Sequence, residues 1–395
     1  MSAPKFLLRI TALFLATAAL SSAADAIVRR PQGAARPGQA WSATTPDVPL
    51  AFTGQLLGWN EDRSFATDAG TQARKAVAQL EKMLRVARSS LDRVVKLNVY
   101  LTEDAHHAAV AAALGAAFAA HPVPISFVRT ALHESRALVA IDAVFQVPAA
   151  GDAARSVRVD GVPSFAVGGH FGVLPPGRRV FFSGAASRQK GFVEALRDVF
   201  DSQRATLLHH GLSPADVVQV KVWLNPLSRL DEFRGELNAF FGSLPIPPVV
   251  LIEWTAVEAN EIEFVLAGRN ARADRFNGPV AFATRPGVAA NSRFSHVALV
   301  EAGQPLIFIT GLYGRPGQPV RDQLQDMFSQ LGRILFDAGS GFRYLAKATY
   351  HNVDAPGRAA LGEIRDVYFD PARPPAASGV VVRGVGLPGA SATLD

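Results

Sequence analysis

The chain has no cysteine, so disulfides, thiolate chemistry and lipid attachment through a cysteine are all excluded. No block of like charge occurs. The formal excess of six positive charges is spread over 395 residues, which permits an anionic partner without indicating one. HExxH is absent, no His/Asp set has metal-ligating spacing, and no glycine-rich phosphate loop opens a helix, so neither a metal nor a nucleotide cofactor is expected. His106 and His107 are adjacent in a helix's first turn and point apart, while His296 and His351 are lone residues on or near strands. An apolar run of the ~20 residues needed to span a bilayer is also missing; "ITALFLATAAL" at 10–20 is shorter.

That run does have a place in a different pattern. Lys5 and Arg9 precede it and the small residues "SSAADA" follow, the order of a secretory signal peptide cut near Ala24 or Ala26. An uncleaved anchor is the rival reading. The mature chain is expected to be exported, periplasmic or secreted, with no membrane attachment after cleavage. Hydrophobic residues make up 49% and charged residues 19%, enough to bury cores and too apolar for wholesale disorder.

The mature chain repeats itself. "LAFTGQLLG", "VFFSGAAS" and "IFITGLYG" end in Gly54, Gly184 and Gly311, 130 and 127 residues apart. Each is followed by a stretch with apolar residues at three- and four-residue steps, as in "VEALRDVFDSQRATLLHHG", where Gly211 supplies the stop. An apolar strand comes next ("VVKLNVYL", "VVQVKVWLN", "LAKATYHNV"), then a second helix. A proline-led run enters a further strand ("PVPISFV", "IPPVVLI", "RPPAASGVVV"), and a last strand closes the unit. Polar joints at 148–160 and 269–279 separate the copies. The reading is an α+β protein with a 1–26 signal peptide and repeats over 27–150, 151–270 and 271–395. A sheet with helices on one face needs cover on the other, and three such sheets can cover one another around a pseudo-threefold axis. Three independent beads are the alternative.

These ordered elements make each repeat resemble the RidA/YjgF family. Its members are homotrimers of a chorismate-mutase-like fold, so the resemblance implies three tandem units forming an intramolecular pseudo-trimer. Active members hydrolyse enamines and imines to ketones and ammonia in clefts between subunits. An arginine after the proline-led loop grips the substrate carboxylate, an acid in the last strand handles protons, and an aromatic hydroxyl lines the cleft. Carried over residue by residue, the arginine's place falls on Ile125 or Ser126, on Val249 and on Ala377, none of them cationic. The acid's place holds Ala140, Glu261 and a residue near Thr393; only Glu261 matches. Trp41, Phe171 and Phe294 stand at the aromatic position without its hydroxyl. Arg129 and Arg383 are substitute cations by position, or solvated strand-end arginines. Glu253 and Glu263 read equally well as half-buried sheet positions or cleft acids.

The function expected is binding of a small molecule in apolar clefts between repeats, with a divergent hydrolase as its extension. The alternatives are retained imine deamination through Glu261 and a structural or RNA-associated role; nucleic acid is not an expected partner. The third repeat stops at "SATLD" where the family's last strand runs further, so either the repeat is clipped or its edge is completed by something else; an edge left unpaired would invite another chain. Mass spectrometry of protein recovered after export is expected to show a new N-terminus at Asp25 or Ile27; an intact Met1 would overturn the signal-peptide reading.

Overall fold

The computed structural model describes residues 26–148, 151–163, 168–256, 258–272, 278–285 and 287–395. The signal-peptide reading therefore lies outside the described residues. Among the described residues no helix is long and apolar enough to cross a membrane.

Three units follow each other in one element order, the third with one short strand fewer before its first helix. The first has β1 (Val28–Pro31), β2 (Ala40–Thr45), β3 (Leu50–Thr53), β4 (Leu56–Leu57), α1 (Ala69–Val86), β5 (Val94–Leu101), α2 (His107–Ala117), β6 (Ile125–Arg129) and β7 (Val139–Gln146). The second has β8 (Arg155–Val157), β9 (Phe171–Leu174), β10 (Arg179–Phe182), β11 (Ala185–Ala186), α3 (Phe192–His209), β12 (Val217–Leu224), α4 (Leu230–Phe241), β13 (Val249–Glu253) and β14 (Asn260–Ala267). The third has β15 (Val280–Ala283), β16 (Val297–Val300), β17 (Leu306–Ile309), α5 (Val320–Asp337), β18 (Lys347–Asn352), α6 (Ala355–Tyr368), β19 (Ala376–Val381) and β20 (Ala392–Leu394).

Local chemistry sets the helix ends. Asp68 caps α1 by accepting from Thr71 N–H at 2.7 Å, and Asp354 caps α6 by accepting from Gly357 N–H at 2.7 Å. Gly211, at φ +70°, turns the chain out of α3 as its sequence position suggests. On the buried edge of α3, Gln203 donates to the Ile262 carbonyl at 2.8 Å and so ties helix to sheet. The helices cover one face of each sheet, over cores centred on Leu80 and Phe145, on Leu196 and Phe264, and on Phe328 and Tyr350.

The other faces cover one another. Tyr100 and Val128 of the first unit, Trp223 and Ile252 of the second, and Val380 and Val382 of the third share one buried cluster. β5 and β12 are consequently buried along their whole length, on both faces. Beads with separate cores would leave these faces wet.

The strand pairing is cyclic, which the element order alone does not reveal. β3 of the first unit pairs with β9 of the second, β10 of the second with β16 of the third, and β17 of the third with β2 of the first. Each unit thus hands its early strands to the preceding unit's sheet, and the last pairing closes the ring. Two sheets run β6-β5-β7-β3-β9-β8 and β13-β12-β14-β10-β16-β15. The third set stays in two pieces, β19-β18-β20 and β1-β2-β17.

The ring requires close backbone approach where units cross. A Cβ on Gly172 of β9 would lie 1.9 Å from the Val218 carbonyl oxygen, a backbone atom at the bulge of β12. Gly172→Ala is expected to destabilise by about 1–3 kcal/mol through overpacking, read as a lower urea midpoint with an unchanged slope. Gly177→Ala, which meets no atom within 4 Å but sits at φ +107°, tests backbone strain separately. An unaffected Gly172→Ala would argue against this crossing.

Candidate functional site

The middle strands β5, β12 and β18 each carry one lysine: Lys96, Lys221 and Lys347. Side chains alternate along a strand, so these residues leave the helix side and face the axis. Across the ladder, Asn98 stands opposite Asp142 and Lys221 opposite Glu263. Thr349 and Asp395 exchange both backbone hydrogen bonds, at 2.6 and 2.8 Å. Asp142, Glu263 and Asp395 therefore occupy one position in three units.

Two of the resulting contacts cross between units in the same rotational sense. Lys96 of the first unit pairs with Asp395 of the third, and Lys347 of the third pairs with Glu263 of the second at 2.6 Å. Lys96 also donates to Ser126 Oγ and to the Ile309 carbonyl, both at 2.6 Å. The third place of the cycle holds Gln219, which donates to the Thr53 carbonyl at 2.7 Å. Positive charge is supplied instead two residues along, by Lys221. Asp142 accepts from Tyr100 Oη at 2.6 Å and Asn98 Nδ2 at 3.0 Å. Lys221 is 9% exposed, and among the described residues no hydrogen bond or ion pair engages its ammonium.

The electrostatics follow from burial first and neighbours second. Burial would lower the Lys221 ammonium, but Asp142, Glu263 and Asp395 outweigh it and raise it above the ordinary lysine value. Burial lowers Lys96, with Asp395 opposing. Burial raises Asp142 against the pull of Lys221, Tyr100 and Asn98. Burial would also raise Asp395, yet Lys96 and Lys221 hold it down at about 2.

A cavity of about 390 Å³ opens on this cluster. Phe52, Val144, Phe181 and Val265 give it apolar inner walls, with Lys221 and Asp142 on its floor. It continues outward between β17 and the start of β18, beneath the C-terminal end of α5. Sequence reasoning missed it, although one lysine inside each buried strand was a signal in plain sight.

The residues singled out from sequence lie at the junctions, but mostly on the other face. Ile125, Val249 and Ala377 begin their strands beside the neighbouring unit's hydroxyl-glycine turn. Gly311 N–H donates to the Ile125 carbonyl at 3.0 Å, and Ala377 N–H to Ser183 Oγ at 2.8 Å. Their side chains belong to the helix-side cores, as does Phe171, which meets Phe145 edge-on at 5.9 Å. One residue further, Ser126 and Ser378 point to the axis: Ser126 Oγ donates to Asp395 at 3.0 Å, and Ser378 Oγ donates to Glu263. Trp41 and Phe294 are half-buried against the third unit's core. Arg129 pairs with Asp104 at 3.2 Å and Arg383 with Glu253, so neither replaces the family arginine. His351 is buried beside Trp223 and brought down to about 3 by that burial; His296 is brought down to about 4.

Glu261 remains at a junction. It stands opposite Trp223 on one side and Ala186 on the other, beside Gly184. Burial raises its carboxyl to about 7, with Arg358 opposing and Glu263 adding to the rise. Among the described residues no group of three or more His, Asp or Glu side chains is arranged to hold a metal.

Two pH limbs follow. Asp395, held below its unfolded value, stabilises the fold above about pH 4, and that stability is lost as pH falls toward 2. Lys96→Met is expected to cost about 3–5 kcal/mol at neutral pH and to remove this acid limb in pH-dependent urea titrations. Glu261, held above its unfolded value, stabilises below about pH 4.5 and loses that contribution as pH rises through 7. Glu261→Gln should therefore be the more stable protein at pH 8, by on the order of 3 kcal/mol, with the advantage gone at pH 4.5.

The family described as Endoribonuclease L-PSP matches residues 34–147. No curated protein matches the chain. Among solved structures, a putative translation initiation inhibitor from Salmonella typhimurium is 26% identical, over 31% of this chain and 99% of its own, with a TM-score of 0.23. A Rid-family protein from Yersinia pestis is 26% identical over 30% of this chain and 97% of its own, with a TM-score of 0.28. A YjgF/YER057c/UK114-family member from Mycobacterium tuberculosis is 24% identical over 31% and 100%, with a TM-score of 0.23.

Proposed function

Residues 34–147 are a YjgF/Rid-family unit, and from that premise we propose that the protein binds a small apolar molecule bearing one anionic group in the axial cavity. The observation carrying this reading is Lys221, a buried ammonium that opens on apolar walls and is engaged by no direct partner among the described residues. A ligand carboxylate beside it gains a charge-assisted hydrogen bond in a place where water is scarce. The junction positions that hold the family's arginine carry Ile125, Val249 and Ala377 here, so the family's grip on a substrate at the junctions is not carried over. In this reading the chain acts after export, as its N-terminal segment suggests.

A second reading has one observation in its favour. Glu261 keeps a carboxyl poised near neutrality at the junction of the second and third units, the condition for moving a proton at physiological pH. On this reading the protein is a divergent hydrolase releasing ammonia from imines.

Calorimetry with medium-chain carboxylic acids, octanoate among them, is expected to detect binding that Lys221→Met weakens about 10–100-fold. Equal affinity in the variant would remove the proposal. Ammonia release from freshly generated imino acids, lost on Glu261→Gln, would favour the second reading instead.

A further inference from the structure

The three junctions between units are built from the same places and filled differently. Beside each hydroxyl-glycine turn lie the start of a neighbouring strand and the first turn of the helix above it. Where the third unit meets the first, β6 turns Ile125 and Phe127 to its helix side, both buried. His107 of α2 packs its ring on Phe127 at 4.5 Å. Where the first meets the second, β13 turns Val249 and Leu251 to the same side, also buried, and Leu230 of α4 packs on their cluster. Side chains close both places.

The junction of the second and third units is open. There β19 carries Ala377 and Gly379, and a Cβ built on Gly379 meets no heavy atom within 4 Å. Gly379 and Gly184 are half-buried and Ala186 is exposed, so solvent reaches the place. The helix position of His107 and Leu230 is taken by Arg358 in α6, which is exposed. Among the described residues no hydrogen bond or ion pair engages its guanidinium. Glu261 enters from the second unit, 5% exposed, with its Oε1 in the space that a Cβ on Gly184 would need. Of the charges around this carboxyl, Arg358 acts most strongly, ahead of Glu263 and Lys347. Ala140 and Thr393 hold the same row in the sister units. A buried acid, an unengaged guanidinium and the loss of bulk at residue 379 thus meet at one junction of the three.

We propose that this junction takes a carboxylate with a bulky apolar side chain, Arg358 binding the carboxylate and the space at Gly379 receiving the side chain. The size follows from what the sister strands put there, a phenylalanine and a leucine. The apolar character follows from Ala377 and Phe294, which share the third unit's cluster. Two N–H groups of a guanidinium match two carboxylate oxygens, so an arginine is suited to the task. Arg358 stands on a helix, away from the strand start where the family's arginine lies, and its grip is a separate one. Only the chemical step rests on the hydrolase reading of Glu261. Water adds to the imine carbon, the carboxyl passes a proton to the nitrogen and takes one back from the water, and ammonia leaves a ketone behind.

Ammonia release is followed for the full mature chain with imino acids generated from phenylalanine and from alanine. The phenylalanine-derived imine is expected to have the larger kcat/KM, by about tenfold. Arg358→Met should raise its KM about tenfold with little change in kcat, and Arg358→Lys should restore part of the loss. Gly379→Leu should abolish the preference for the larger imine while keeping the urea midpoint, since the new side chain enters open space. Phenylpyruvate, the ketone product, probes the site without turnover. Calorimetry in a Lys221→Met background keeps the axial cavity out of the measurement. Affinity should fall about tenfold with Arg358→Met and with Gly379→Leu. Binding that depends on both residues, with no ammonia from any imine, would remove the hydrolase reading and leave this inference standing. Equal phenylpyruvate affinity in either variant, or none up to millimolar concentration, would overturn it.

Discussion

The exchange of strands around the ring is the constraint on which the remaining structure depends. Because β9, β16 and β2 each complete another unit's sheet, no unit holds its full sheet alone. The axis-facing sides are therefore brought together as a consequence of backbone pairing, and the apolar cluster of Tyr100, Trp223 and Val380 forms among them. Strand pairing sets the register, and the register decides which side chains reach the axis.

That register explains the charged centre. Six ionisable groups lie in an interior that would reject any of them singly. They persist because Lys96 meets Asp395 and Lys347 meets Glu263 across unit boundaries, contacts that exist only once the ring has closed. Fusion of the units has let the three copies differ. Gln219 breaks the cycle, and Lys221, arriving from the next axis-facing position, is left facing a cavity instead of an acid at contact distance. The asymmetry makes one chamber out of what a symmetric trimer would hold as three equivalent pairs.

The third unit departs in a second way. Its sheet stays in two pieces, with β20 paired to β18 and bridged to Leu312 and with β17 paired to β2. The cavity runs from the axis outward between these pieces, and its inner end sets an ammonium among apolar walls.

The unit order, the stop of α3 at Gly211 and the threefold repetition were legible from the residues, because local periodicity and turn chemistry act over a few positions. The absence of arginine after the proline-led loops was equally plain. The face on which those loop residues point was not: Ile125, Val249 and Ala377 turned to the helices while Ser126 and Ser378 turned to the axis, a one-residue difference that reverses the side of a strand. Nor could the sequence pair Lys96 with Asp395, nearly three hundred positions away in the chain, since that contact is made by closure of the ring. Local composition determined which elements form and how often; the long-range pairing of strands decided which charges meet and which one is left facing the cavity.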